Sequence, residues 1–252
     1  MNKNIIMNNP WTNLNKNNGN IVSRDDVKWI NQLERNRKDV FNDLELKLFP
    51  EPFIGNPNAN IYLLNGNPGF HEDDKIFIND PYFKDAIKKT LKHEYRNSYG
   101  DFLYLDEKFE KHPGYKWWTS HLKSLKEAIN PDPNITIYPK VFNIEFFPYH
   151  SQNLDSLKNY FNSKKDESNW PDWPSFDHTK NLVKEAINQG KIIVIMRLKS
   201  FWYKAIKGLE GYKNVIELAN PQSVYITENN VRFYKEIKSR SKENWDKLIK
   251  NA

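Results

Sequence analysis

A chain of 252 residues with 15 Phe, 13 Tyr and 8 Trp is long enough for one large domain and supplied with the apolar bulk for its core, which excludes a disordered chain. Its 38 basic and 32 acidic residues leave a net charge of +6, a mild excess that favours acidic partners, nucleic acid first. The absence of cysteine excludes disulfides, thiolate metal sites and a Cys nucleophile; the 6 His form no His-x-x-x-His pair, and no apolar run approaches the roughly 20 residues that span a bilayer.

Residues 1–22 are rich in Asn and lack period; they read as a loose N-terminal arm without the apolar core of a signal peptide, so a cytoplasmic protein is expected. Residues 23–252 read as a single domain. Ser23 followed by Asp25 and Asp26 reads as a helix start, and Val27, Ile30, Leu33 and Val40 mark the apolar face of a helix that Pro50 and Pro52 end. NIYLLNG, residues 60–66, reads as a buried strand. DPYFKDAIKKTLKHEYRNS reads as a helix capped by Asp80, and DFLYLDEKF as a short hairpin arm. GYKWWTSHLKSLKEAIN reads as a helix with Trp118, Leu122, Leu125 and Ile129 on one side. KVFNIEFFPYHS is a second strand, FDHTKNLVKEAINQG a helix with Gly190 at its C-terminal cap, and KIIVIMRL a third strand. SFWYKAIKGL is a short helix, NVIELANPQS a fourth strand, and TENNVRFYKEIKSRSKENWDKLIK a terminal helix.

Strands separated by helices predict an α/β chain, a three-layer α/β/α domain with a central, mostly parallel four-stranded sheet. Ligands of such sheets sit beyond the carboxyl ends of the strands, so the residues after each strand are the ones to read for chemistry. The first strand ends in Asn65-Gly66-Asn67-Pro68-Gly69-Phe70 and the second in Glu145-Phe146-Phe147-Pro148-Tyr149-His150-Ser151. The third ends in Arg197-Leu198-Lys199-Ser200 and the fourth in Asn220-Pro221-Gln222-Ser223.

In order and position these ends resemble the uracil-DNA glycosylase superfamily. Gly66-Asn67-Pro68-Gly69 is similar to the first family motif, in the Gly-x-Asn-Pro-Gly form of the mismatch-specific and single-strand-selective branches. Asn220-Pro221-Gln222-Ser223 is similar to the second motif, and Phe142 to Pro148 stands where the family reads its base. The resemblance spans residues 55–235 in element order and implies a DNA glycosylase that hydrolyses the N-glycosidic bond of a base flipped into a pocket. It implies that Asn67 holds the water; an amide orients water but takes no proton from it. Phe70, or Phe77 farther along, would stack on the base, with Glu145, Phe147 and Asn220 as further base-binding residues. Backbone groups at Gly66, Gly69 and Ser223, with Arg197, would meet the DNA backbone.

The chain departs from the family at two points. Glu145 stands where the family commonly has an Asn, and an ionised carboxylate accepts from an amine but repels the O4 of uracil, so a damaged or modified base other than plain uracil is expected. The second motif lacks the His that some branches use on the leaving base, a role that His150 would take. The expected partner is DNA, single-stranded or carrying a modified base, with no membrane, no metal and no other cofactor, and the expected state is a monomer. The alternative is a catalytically inactive nucleic-acid or nucleotide-binding protein on the same scaffold. A small-molecule hydrolase or transferase is disfavoured by the missing Gly-x-Ser-x-Gly elbow and phosphate loop.

Each feature also has a plainer reading. Asn-Pro-Gly is ordinary turn chemistry, Trp117, Trp118, Trp170 and Trp173 suit core and loop packing, and His71-Glu72-Asp73-Asp74 suits a helix cap better than a metal site. Arg197 either pairs with Glu217 or reaches a phosphate.

Overall fold

A computed structural model describes residues 8–94, 102–129, 140–220, 222–233 and 241–251. The stretch read as a loose arm is built into the domain from Asn8 onward. Strands β1 (Leu14–Asn17) and β2 (Asn20–Ser23) form an antiparallel hairpin. Asn18 and Gly19 turn it with φ of 51° and 80°, the left-handed pair that a two-residue hairpin requires. Trp11, Ile21 and Val22 are buried, and the Trp11 ring meets Tyr149 at 6.1 Å.

Helix α1 (Val27–Asn36) stops where Arg37 adopts φ −142°, and a single further turn, α2 (Lys38–Phe41), follows. The buried Asp26 accepts bonds from Ser175 N (2.8 Å) and Tyr149 Oη (2.7 Å), so it ties two distant segments together rather than capping the helix. Then come β3 (Phe53–Gly55), β4 (Ile61–Asn65), the short α3 (Asp74–Phe77) and α4 (Pro81–Leu91). Asp80 caps α4, accepting from Phe83 N at 2.8 Å as its sequence suggests. Of the stretch read as that helix, residues 95–98 lie outside the described residues. The expected hairpin arm is instead two 3₁₀ turns, Leu103–Leu105 and Glu107–Phe109.

Helices α5 (Pro113–His121) and α6 (Lys123–Ile129) precede β5 (Val141–Glu145). Next are α7 (Leu154–Lys164), capped by Asn153 and absent from the sequence reading, α8 (Phe176–Asn188), β6 (Ile192–Ile195), α9 (Lys199–Ala205) and β7 (Val215–Leu218). The expected terminal helix divides: Val231–Phe233 is an edge strand, β8, and α10 (Ser241–Asn251) is the helix; residues 234–240 lie outside the described residues.

The sheet has six strands in the order β3-β5-β4-β6-β7-β8. Its four central strands are the four expected ones and run parallel, and β3 and β8 add antiparallel edges. The domain is therefore three-layer α/β/α, with two more strands than anticipated. The chain passes from β4 to β5 on one side and then back to β6 on the other. Right-handed crossovers accordingly put α3–α6 on one face and α7–α9 on the other, and β4 lies at the switch point. Among the described residues no helix is long and apolar enough to cross a membrane.

The face under α7–α9 is packed by aromatic rings. Phe146, fully buried, meets Phe161, Trp173, Phe176 and Trp202 at centroid distances of 5.6, 5.6, 5.1 and 5.0 Å. Replacing it removes the ring that α7, α8 and α9 share. Phe146→Ala is expected to lower unfolding free energy by about 3–5 kcal/mol, measured by urea denaturation.

Candidate functional site

A cavity of about 450 Å³ opens at the carboxyl ends of β4, β5 and β6, beside the switch point. Asn65 and Glu145 form its floor. They are the last in-register pair of the β4–β5 ladder, so their side chains leave the sheet on one face. Both are buried, at 5% and 3% exposure. Glu145 Oε1 accepts from Asn143 Nδ2 at 2.8 Å. Among the described residues, Glu145 Oε2 and Asn65 Oδ1 meet no hydrogen-bond partner. Leaving a buried polar atom unsatisfied costs about 1–3 kcal/mol, so both atoms favour a ligand that completes them.

Burial pushes the Glu145 carboxyl up to about 8, with nearby Glu51 adding to the shift and Asn143, Arg197 and Asn65 opposing it. Glu145 is therefore mostly a neutral acid at pH 7. The expectation of an ionised group that repels a carbonyl is thereby corrected, since a neutral carboxyl both donates and accepts.

The Asn67-Pro68-Gly69 turn is held beside the floor by the exit of β5. Phe147 N donates to Gly66 O (2.9 Å), Ser151 N to Pro68 O (3.4 Å) and Asn67 Nδ2 to Ser151 Oγ (2.8 Å). Asn67 Nδ2 also donates to Pro68 O at 2.7 Å, which commits both amide hydrogens and leaves the side-chain oxygen as what Asn67 can offer a ligand or water.

His150 completes this attachment from below. Its Nδ1 donates to Gly69 O at 2.7 Å, and its Nε2 lies 3.1 Å from Phe49 O and 3.2 Å from Glu51 Oε1. Burial disfavours its charge, but Glu51 overcomes that and raises His150 to about 9. Glu51 is in turn held below its ordinary value because His150 outweighs the burial that opposes it. Tyr104 Oη donates to the same Glu51 oxygen. His150 thus lines the cavity as a buried imidazolium with both N–H groups engaged, and has none to give a leaving base.

The remaining wall carries a second acid–imidazole pair. Asp74 Oδ1 lies 3.6 Å from His112 Nε2, and Asp74 Oδ2 accepts from His71 N at 2.7 Å. Burial raises Asp74 to about 6 and lowers His112 to about 4, so near pH 7 the pair is a carboxylate beside a neutral imidazole. The lining also carries the aromatic rings of Phe70, Trp117 and Trp118, and Arg197 adds a second cation to that of His150.

Of the residues singled out in the sequence, Asn67, Gly69, Phe70, Glu145, His150 and Arg197 line this cavity. Four do not. Gly66 is buried behind it, and Phe147 is fully buried in the aromatic core, 5.5 Å from Trp173 and 5.9 Å from Trp29. Asn220 is exposed and closes its own turn, Oδ1 accepting from Gln222 N at 3.0 Å, while Ser223 N donates to Asn220 O at 3.1 Å. The reason is topological. β7 lies one strand outside β6, beyond the reach of a cavity centred on β4 and β5. Pro221 lies outside the described residues. Glu217, the alternative partner of Arg197, is taken by Lys199 Nζ (3.1 Å) and Tyr203 Oη.

The sequence reading missed Asn65, Glu51, Tyr104, Asp74 and His112 as site residues. Asn65 was visible as a polar residue closing an apolar strand. Asp74 stood in the His71-Glu72-Asp73-Asp74 run that read as a helix cap, and nothing local marks the other three, which separate segments bring to the site. Compared with known proteins, the chain matches no family model, no curated relative and no solved structure.

A carboxyl with a raised folded-state value keeps its stabilising proton at low pH and loses that contribution as pH rises. The stability of the protein relative to Glu145→Gln is therefore expected to fall by on the order of 2–4 kcal/mol as pH rises from 4.5 to about 8, measured by denaturation of both proteins across that window.

Proposed function

We propose that the cavity receives a nucleobase turned out of its strand, and that the chain is a DNA glycosylase-like protein of the uracil-DNA glycosylase type, hydrolysing the N-glycosidic bond of a damaged or modified base. The observation that carries this reading is the pair of buried, unpartnered oxygens, Asn65 Oδ1 and Glu145 Oε2, side by side beneath a cavity with aromatic walls. A flat heterocycle with hydrogen-bonding groups along one edge answers both features, because its faces suit Phe70 and Trp117 and its edge suits the floor. With Glu145 neutral, the edge it meets can be a carbonyl or an amine, so uracil belongs among the candidates.

In this reading Asn67 Oδ1 orients a water toward the sugar carbon. The water oxygen bonds to that carbon, the C–N bond breaks, and its electron pair leaves with the base. One water proton goes to a carboxylate and ends on the released base. Asp74 is the group assigned to accept it, since near pH 7 it is ionised, lines the cavity and lies close to a value suited to general base work. Arg197 meets a backbone phosphate. The committed N–H groups of His150 favour a positioning role for it, holding Gly69 and with it Asn67.

A panel of single- and double-stranded oligonucleotides carrying uracil and other altered bases, treated with alkali after incubation, tests the proposal. Strand breaks are expected for at least one base, to vanish with Asn67→Ala and to fall by roughly 10²–10⁴-fold with Asp74→Asn. The rate is expected to drop as pH falls through about 6, where Asp74 takes up a proton. Salt-dependent binding with every base retained would instead identify a binding protein on the same scaffold.

A further inference from the structure

Trp117, on the cavity wall, is the inner ring of a stacked column. Its ring lies 4.0 Å from that of His121 at an interplanar angle of 19°, and His121 lies 4.2 Å from Tyr225 at 12°. Trp117 and His121 stand four residues apart on α5, which places them on one side of that helix. Tyr225 comes from the segment between β7 and β8, and Ile226 N donates to His121 O at 3.2 Å to hold that segment against the helix. His121 Nδ1 lies 2.6 Å from Trp117 O, which fixes the middle ring, and burial together with Arg197 keeps it below its ordinary value. The column is thus three flat, uncharged rings running from the cavity wall outward.

Its outer ring stays in water. Tyr225 is 44% exposed, one of three large hydrophobic side chains so placed among the described residues. Its ring is stacked on His121 and still keeps that exposure. Arg197 lines the cavity and acts electrostatically on both Glu145 at the floor and His121 in the column, so a cation stands near both.

We propose that Tyr225, carried on the Trp117–His121 column, is a stacking platform for an unpaired nucleobase neighbouring the one in the cavity, on a single-stranded stretch of nucleic acid whose intervening phosphate faces Arg197. The proposal rests on the nucleobase reading of the cavity and extends it to the strand. An aromatic face stacks on any base, so the platform adds affinity without sequence preference. It selects against a fully paired duplex, whose base faces are already covered by their neighbours.

Fluorescence-anisotropy titration of a labelled single-stranded oligonucleotide of mixed sequence, with no altered base, tests it. Tyr225→Ala is expected to weaken binding roughly 5- to 100-fold and Tyr225→Trp to restore it. The dependence of affinity on salt is expected to be unchanged in Tyr225→Ala, because the ring neutralises no phosphate. Thermal unfolding of Tyr225→Trp should match the parent, and Tyr225→Ala should stay folded with a modestly lowered midpoint, having lost the stack on His121. Equal affinity of Tyr225→Ala and parent would overturn the platform alone and leave the cavity reading standing. Failure of the parent to bind any single strand would overturn both.

Discussion

The candidate site depends on two strand exits being tied together. β4 and β5 pair in register to their last residues, Asn65 and Glu145, and the chain beyond them remains joined by Phe147 N to Gly66 O, Ser151 N to Pro68 O, Asn67 to Ser151 and His150 to Gly69. A proline-braced turn standing alone would fix its backbone but not the direction of its amide side chain. The four bonds from the neighbouring exit fix both, and they place Asn67 over a floor made by the same strand pair.

That attachment depends in turn on a buried charge pair. Glu51 and His150 are almost wholly removed from water, and neither would remain charged alone. Tyr104, Phe49 O and Gly69 O supply the hydrogen bonds that make the pair tolerable there. The same low-dielectric setting works in the opposite direction on Glu145, which has a neighbouring carboxylate in Glu51 and is held neutral. One buried wall therefore contains a carboxylate kept ionised and another kept protonated. The difference lies in their partners, not in their depth.

Aromatic side chains serve two separate purposes. Phe146, Phe147, Trp173 and their neighbours fill the layer between the sheet and α7–α9, ring packed against ring. On the other face Phe70, Trp117 and Trp118 border the cavity, although Trp117 and Trp118 also pack on each other at 4.6 Å. Composition does not separate the two groups: Trp117 and Trp173 sit in equally polar stretches of sequence.

The parallel strands, most of the intervening helices and the polar character of the strand ends were legible in the sequence, because apolar periodicity, Asp80 as a cap and Asn, Pro and Gly at the exits act over a few residues. The Asn18-Gly19 hairpin was equally local, but the Asn-rich composition around it concealed it. Tertiary structure alone decided the rest. Strand order removed Asn220 and Ser223 from the cavity and carried Asn67, Glu145 and Arg197 into it, since sheet neighbours are set by which way each crossover turns. It also decided the protonation of Glu145, His150 and Asp74, because an ionisation constant reports the water and charges around a group, and here these come from residues as far apart as Glu51 and Arg197.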